Sequence, residues 1–126
     1  MSESDARSEL SAMSVLDAVR LHLCRALWRI TGLRRAGRAL VRALGSRDEG
    51  VRALAGMLLV REGRRSEPLL AEALGRRECL PVVLTILGDL GDPRFEPELR
   101  RFTHDHEARV AESAKEALRI LEAHRH

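Results

Sequence analysis

Apolar residues recur along this chain at steps of three and four positions, the period of one side of an α-helix. Four segments show the pattern most fully, with apolar or small residues at offsets 0, 4, 7, 8 and usually 11. These segments are 19–30, 51–61, 79–90 and 110–121. A leucine stands at the same offset in each: Leu27, Leu59, Leu87 and Leu118. The pattern predicts four amphipathic helices, each with one apolar stripe facing a shared core.

A shorter apolar segment precedes each of these helices, and residues typical of turns separate the two. The predicted unit is therefore a helical hairpin, repeated four times at about 8–31, 37–62, 66–90 and 94–122. A hairpin buries little apolar surface alone, so we expect the four to stack into a short α-solenoid, as one domain over 8–122. Residues 1–7 and 123–126 are expected to be polar tails.

The segment from Ile86 to Pro93, with the pairs at Val19-Arg20 and Val51-Arg52 that open two of the longer helices, resembles HEAT repeats. It resembles in particular the short bacterial class of these repeats, which is shared with phycobilisome lyases. The resemblance covers about residues 8–122 and implies an all-α, HEAT-like superhelix of a bacterial protein. It also implies that the second helix of each hairpin lines a concave face.

Composition agrees with an all-α domain. Among the 126 residues, 44% are hydrophobic and 33% charged, but only 2% are aromatic, so the core must be aliphatic. Cys24 and Cys79 lie within apolar helical patterns and are interpreted as buried thiols, which favours a reducing cytoplasm. The apolar runs are shorter than the roughly 18 residues that a membrane span needs, so no membrane partner is expected.

Charge is distributed unevenly along the chain. Residues 18–65 hold twelve arginines and three acidic residues, whereas 66–126 hold nine basic and twelve acidic residues. Between Asp17 and Asp48 there are eight arginines and no acidic residue. Asymmetry of this kind concerns binding partners rather than fold. It predicts a basic surface at the N-terminal end of the repeats.

The candidate binding residues lie in this basic zone. On the concave face implied by the resemblance, Arg25, Arg29 and Arg61 would form a positive patch. Trp28, Arg34 and Arg35 complete the candidate set. Two interpretations of Trp28 stay open, because a single tryptophan can close the end of a repeat stack or act as a binding hot spot. Arg20 and Arg52 are expected to pair with turn acids such as Asp48.

Catalytic and metal-binding chemistry is not predicted. The chain contains none of the phosphate-loop, zinc-protease or nucleophile-elbow motifs, so we expect no enzyme activity and no cofactor. The cluster His104-Asp105-His106 is typical of a turn in which Asp105 caps the next helix, and no metal is expected there. The basic zone, apart from Arg20 and Arg52, is therefore the one candidate for a functional site.

The leading hypothesis is a non-enzymatic adaptor or scaffold, a monomer or weak dimer, that binds a protein with an acidic surface. Nucleic-acid binding through the arginines is an alternative, although aromatic side chains that could stack on bases are scarce. A second alternative, implied by the resemblance to the lyases, is an accessory factor or chaperone.

Overall fold

The computed structural model describes residues 3–32 and 34–124, with side-chain surroundings from residue 15 onward. These residues form seven α-helices and two short 3-10 helices, and no strand occurs among them. The α-helices are α1 (Glu3–Thr31), α2 (Arg34–Ala43), α3 (Glu49–Glu62), α4 (Glu67–Arg76), α5 (Leu80–Leu90), α6 (Glu96–Phe102) and α7 (Ala108–Ala123). The all-α prediction is confirmed.

The chain divides into two compact units, Met1–Leu58 and Leu59–His126. In the first unit, α2 packs against α1. Its buried residues fall on one side, at Ala36, Gly37, Leu40 and Val41, and Leu44 follows just after the helix. The arginines of α2 and the half-buried Ala39 and Ala43 occupy the remaining positions, as expected of a helix that buries a single apolar stripe.

In the second unit, α5 is the central helix and packs most extensively against α7, while α4 contacts α5 and α6 contacts α7. Helix α5 has a single charged residue, Asp89, and six of its residues are buried. A helix that is apolar on most sides is typical of such a central position. Leu87 lies at 0% exposure in this core.

Close approach of α5 to α7 requires the glycine at position 88. A Cβ built on Gly88 would lie 2.8 Å from both the Cα and the carbonyl oxygen of Ala117. These are backbone atoms and cannot move aside as a flexible side chain would. α5 then ends at Gly91, whose φ of 70° favours a residue without a Cβ.

The first predicted hairpin is wrong. One unbroken helix, α1, runs from Glu3 to Thr31, so residues 8–31 contain no turn and residues 3–7 are helical rather than a tail. The physical reason is that this segment contains neither glycine nor proline before Gly32, where φ is 68°. Residues 1–2 and 125–126 of the predicted tails lie outside the described residues.

Candidate protein-binding surface

Helix α1 exposes a row of large apolar side chains. Their exposed fractions range from 50% to 81%. We call this row the α1 stripe, and its members are Val15, Leu16, Val19, Leu23, Leu27 and Ile30. The prediction that the apolar stripe of this helix faces the core is wrong for Val19, Leu23, Leu27 and Ile30.

The geometry of α1 explains why the stripe is uncovered. Leu21, on the opposite side of the helix, is 4% exposed and lines a cavity together with Ala39 and Ala43 of α2. Because α2 has only one apolar side, it covers the Leu21 side of α1 and leaves the α1 stripe open. α1 is thus apolar on two sides, of which only one is buried within the described residues.

The α1 stripe is straight and long. From Leu16 its members follow at steps of three, four, four and three residues, an average close to the 3.6 residues of a helical turn. At 1.5 Å per residue, the stripe from Leu16 to Ile30 is about 21 Å long. Such a row matches the side of another helix better than a small-molecule pocket, which is concave.

Basic side chains border the α1 stripe. Arg20 lies beyond Leu16 and Leu27 on one side, and His22 and Arg29 lie beyond Val19 on the other, as the 100° rotation per residue requires. All three basic side chains are exposed. The nearest acidic residue, Asp17, is half-buried and lines the cavity between α1 and α2.

The predicted binding residues lie on three helices, α1, α2 and α3. Arg25 and Trp28 are half-buried on α1, and Arg29 is exposed one turn beyond Arg25. Arg34 and Arg35 are exposed at the start of α2. The first unit therefore holds these five residues on α1 and at the start of α2. Arg61 is exposed near the end of α3 and belongs to the second unit.

Arg52 does not pair with Asp48 as predicted. Its Nη1 donates to the carbonyl oxygen of Ser46 at 2.7 Å. The Asp48 carboxylate instead accepts the backbone N–H groups of Gly50 and Val51, which caps α3. Arg20 lines an open cavity of about 280 Å³ together with Asp17 and Arg42. Asp48 thus caps the N-terminus of α3 and does not pair with Arg52.

A second polar cluster, which the sequence analysis missed, joins α4 to the turn after α5. Arg94 donates to Glu67 Oε2 at 3.0 Å and to Asp92 Oδ2 at 2.8 Å, and its backbone N–H reaches Asp92 Oδ1 at 2.9 Å. Both carboxyl groups are buried. Hydrogen bonds from Arg94 hold the pKa of Asp92 well below its usual range, whereas burial and the neighbouring Asp92 raise the pKa of Glu67.

The residues of this cluster are typical of a structural ion-pair network rather than of an acid–base site. Arg94 forms ion pairs with both carboxyl groups, at 2.8 Å to Asp92 and 3.0 Å to Glu67, and burial raises the pKa of Glu67. The adjacent open cavity, about 340 Å³, is lined by Arg64, Pro68 and Phe95. The sequence Asp92-Pro93-Arg94 indicates a turn, but no residue close to Glu67 in the sequence indicates that Glu67 contacts this turn.

The histidine-rich turn before α7 also differs from its prediction. Asp105 forms a two-point ion pair with Arg77, at 3.0 Å for each nitrogen–oxygen contact. It accepts the backbone N–H of Glu107, but α7 begins only at Ala108, with Glu107 as its N-cap residue. Asp105 therefore orders the turn without being the cap. Among the described residues, no three histidine, cysteine, aspartate or glutamate side chains come together in a way that could hold a metal ion.

The two cysteines are half-buried rather than buried, which corrects the sequence interpretation. Cys79 is not part of a helix: it lies immediately before α5 with a φ of 49°. Burial, together with the nearby Glu78, raises the pKa of the Cys79 thiol and so disfavours the reactive thiolate.

In the described part of the chain, no helix has both the length and the apolar character that crossing a bilayer requires. Comparison with models of protein families, with curated proteins and with solved structures finds no match for this chain.

Proposed function

We propose that this protein is a non-enzymatic adaptor or scaffold that binds an acidic surface of a partner protein. The observation that carries the proposal is the α1 stripe, six large apolar side chains exposed in one row and bordered by exposed arginines. Monomeric proteins rarely leave a contiguous apolar surface of this kind uncovered, and such surfaces are typical of protein-binding sites.

The arginines at the border support a protein partner of negative charge. Arginine is enriched at binding hot spots because its long side chain contributes both apolar contact and charge. Arg29, Arg34 and Arg35 are exposed close to the C-terminal end of α1. The stacking of the helix pairs as a HEAT-like solenoid, with Arg61 on the same concave face, is part of the proposal and rests on the sequence repeat. A cytoplasmic location is likewise proposed.

The test is capture of partners from a lysate of the source cells at physiological salt, with and without nuclease. The variant Arg29→Glu, Arg34→Glu, Arg35→Glu changes only exposed side chains of the first unit. The matched control Arg101→Glu, Arg109→Glu, Arg119→Glu makes the same change of charge at exposed positions of α6 and α7. Circular dichroism should show unchanged helicity in both.

A protein that is retained in stoichiometric amount after nuclease, and is lost only with the first variant, would support the adaptor function. Recovery of nucleic acid, with every other species lost on nuclease treatment, would instead make the arginines a phosphate-binding surface. A bound pigment or small ligand in the purified protein would favour the accessory-factor alternative.

A further inference from the structure

The α1 stripe and its charged border together define what kind of partner fits. The stripe offers one straight row of apolar side chains about 21 Å long, with Arg20 on one side and Arg29 on the other. A row of this length and width is complementary to the apolar stripe of a second helix, whose residues repeat at the same three and four spacing. A helical occupant would cover the whole row at once.

A second copy of this chain matches the charge at the border only in part. In an antiparallel two-fold pairing that covers the whole α1 stripe, the axis passes near Leu23, so Arg29 of one copy lies opposite Asp17 of the other and Arg20 lies opposite Ala26. Asp17 is half-buried and lines the cavity on the α2 side of α1, and no acidic residue between Asp17 and Asp48 is available for Arg20. A partner with carboxylates opposite both arginines is therefore more complementary than a second copy.

We infer that the α1 stripe binds an amphipathic helix of a partner protein, with glutamate or aspartate on both borders of its apolar stripe. The inference rests on the proposed adaptor function and specifies its partner. Apolar contact with residues such as Leu23 and Ile30 supplies most of the affinity, because these side chains leave water on binding. The arginines select acidic helices and set their position along α1.

Three synthetic helical peptides of about 18 residues, or five turns, test the inference. The first carries a leucine stripe bordered by glutamates, the second has lysine at each glutamate position, and the third is a scrambled form of the first. Binding of dye-labelled peptide to the full chain is followed by fluorescence anisotropy at low and at physiological salt. We expect the acidic amphipathic peptide to bind at least about tenfold tighter than the lysine peptide, a difference of about 1.4 kcal/mol, and the difference to shrink as salt rises.

Variants separate the apolar from the charged contribution. Arg20→Glu with Arg29→Glu should reverse the preference in favour of the lysine peptide, whereas Arg101→Glu with Arg109→Glu should leave it unchanged. Leu23→Ser, at an exposed position, should weaken binding of the acidic peptide several-fold without loss of helicity. Reversal of preference is a readout that general loss of folding would not produce.

Equal binding of the acidic and lysine peptides, or equal binding of the scrambled peptide, would overturn the inference. So would sedimentation of the protein alone as a dimer that Leu23→Ser converts to monomer, because the occupant would then be a second copy. These outcomes leave the adaptor proposal to its own test, since capture from the lysate that depends on Arg29, Arg34 and Arg35 does not require a helical partner.

Discussion

Replacement of Gly88 by alanine should destabilise the second unit, although alanine is the better helix former. The added Cβ would lie 2.8 Å from the Cα and the carbonyl oxygen of Ala117 and 3.0 Å from its Cβ. Since two of these are backbone atoms, α5 and α7 must separate, and overpacking of this kind costs about 1–3 kcal/mol. Alanine recovers at most about 1 kcal/mol through helix propensity. The net loss in the free energy of unfolding should therefore be about 0–2 kcal/mol when alanine recovers the full 1 kcal/mol, and the overpacking cost of about 1–3 kcal/mol should appear as the difference from a glycine-to-alanine change at an uncrowded helical position.

Gly75→Ala is the matched control, because Gly75 lies in α4 and a Cβ built there meets no atom within 4 Å. This variant should be as stable as the wild type or gain up to about 1 kcal/mol. Urea unfolding followed by circular dichroism at 222 nm measures both variants against the wild type. A Gly88→Ala protein as stable as Gly75→Ala would show that α5 and α7 are farther apart than described.

Three further changes probe the polar cluster and the α1 stripe. Glu67→Gln should remove a fall in stability that begins as the pH rises above 4.5, because a carboxyl whose pKa is raised above that ordinary value binds its proton more tightly in the folded state. The difference in urea unfolding between wild type and variant, followed from pH 4.5 upward, measures this fall. Asp92→Asn should cost about 1 kcal/mol near neutral pH, because it weakens the charged hydrogen bonds from Arg94, and the solvent exposure of Arg94 keeps this cost modest. Since Arg94 holds the pKa of Asp92 well below the ordinary 3.8, the contribution should decrease progressively as the pH falls below 3.8. Thermal unfolding should show Ile30→Ser within about 0.5 kcal/mol of the wild type and Leu87→Ala about 2–5 kcal/mol less stable; equal effects would contradict the assigned exposures.

Local sequence features predicted the secondary structure of much of this chain. Helix α2 follows directly from its alternation of arginines with Leu40 and Val41, because the 3.6-residue period places the two kinds of side chain on opposite sides. The ends of α1 and α5 follow from Gly32 and Gly91, both of which adopt positive φ. These features depend on neighbouring residues only, which is why the sequence suffices for them.

The turn predicted within α1 shows the limit of a repeat argument. The other three repeats each contain two helices, so a fourth hairpin was expected over 8–31. The decisive local evidence was the absence of glycine and proline between Glu3 and Thr31, which permits one continuous helix. The hairpin expected by analogy with the other three repeats is therefore wrong for this segment.

The polar clusters could not be predicted because their members are far apart in the sequence. Glu67 and Arg94 are 27 positions apart, and Arg77 and Asp105 are 28 positions apart. Each partner alone resembles an ordinary surface charge, and only the packing of α4 against α5 and of α5 against α7 brings them together. Asp105 illustrates the ambiguity, since a carboxylate before a helix predicts a cap equally well.

The exposure of Leu23 depends on its neighbours rather than on its own helix. The residues at the same offset in the other three repeats, Ala55, Val83 and Ala114, are each fully buried. Alanine at two of these positions permits close packing by another helix, whereas the larger leucine at position 23 has no helix against it. An apolar position that is buried in three repeats and exposed in the fourth is expected where the fourth repeat lacks a neighbouring helix. The acidic helix that we propose as partner would supply that neighbour.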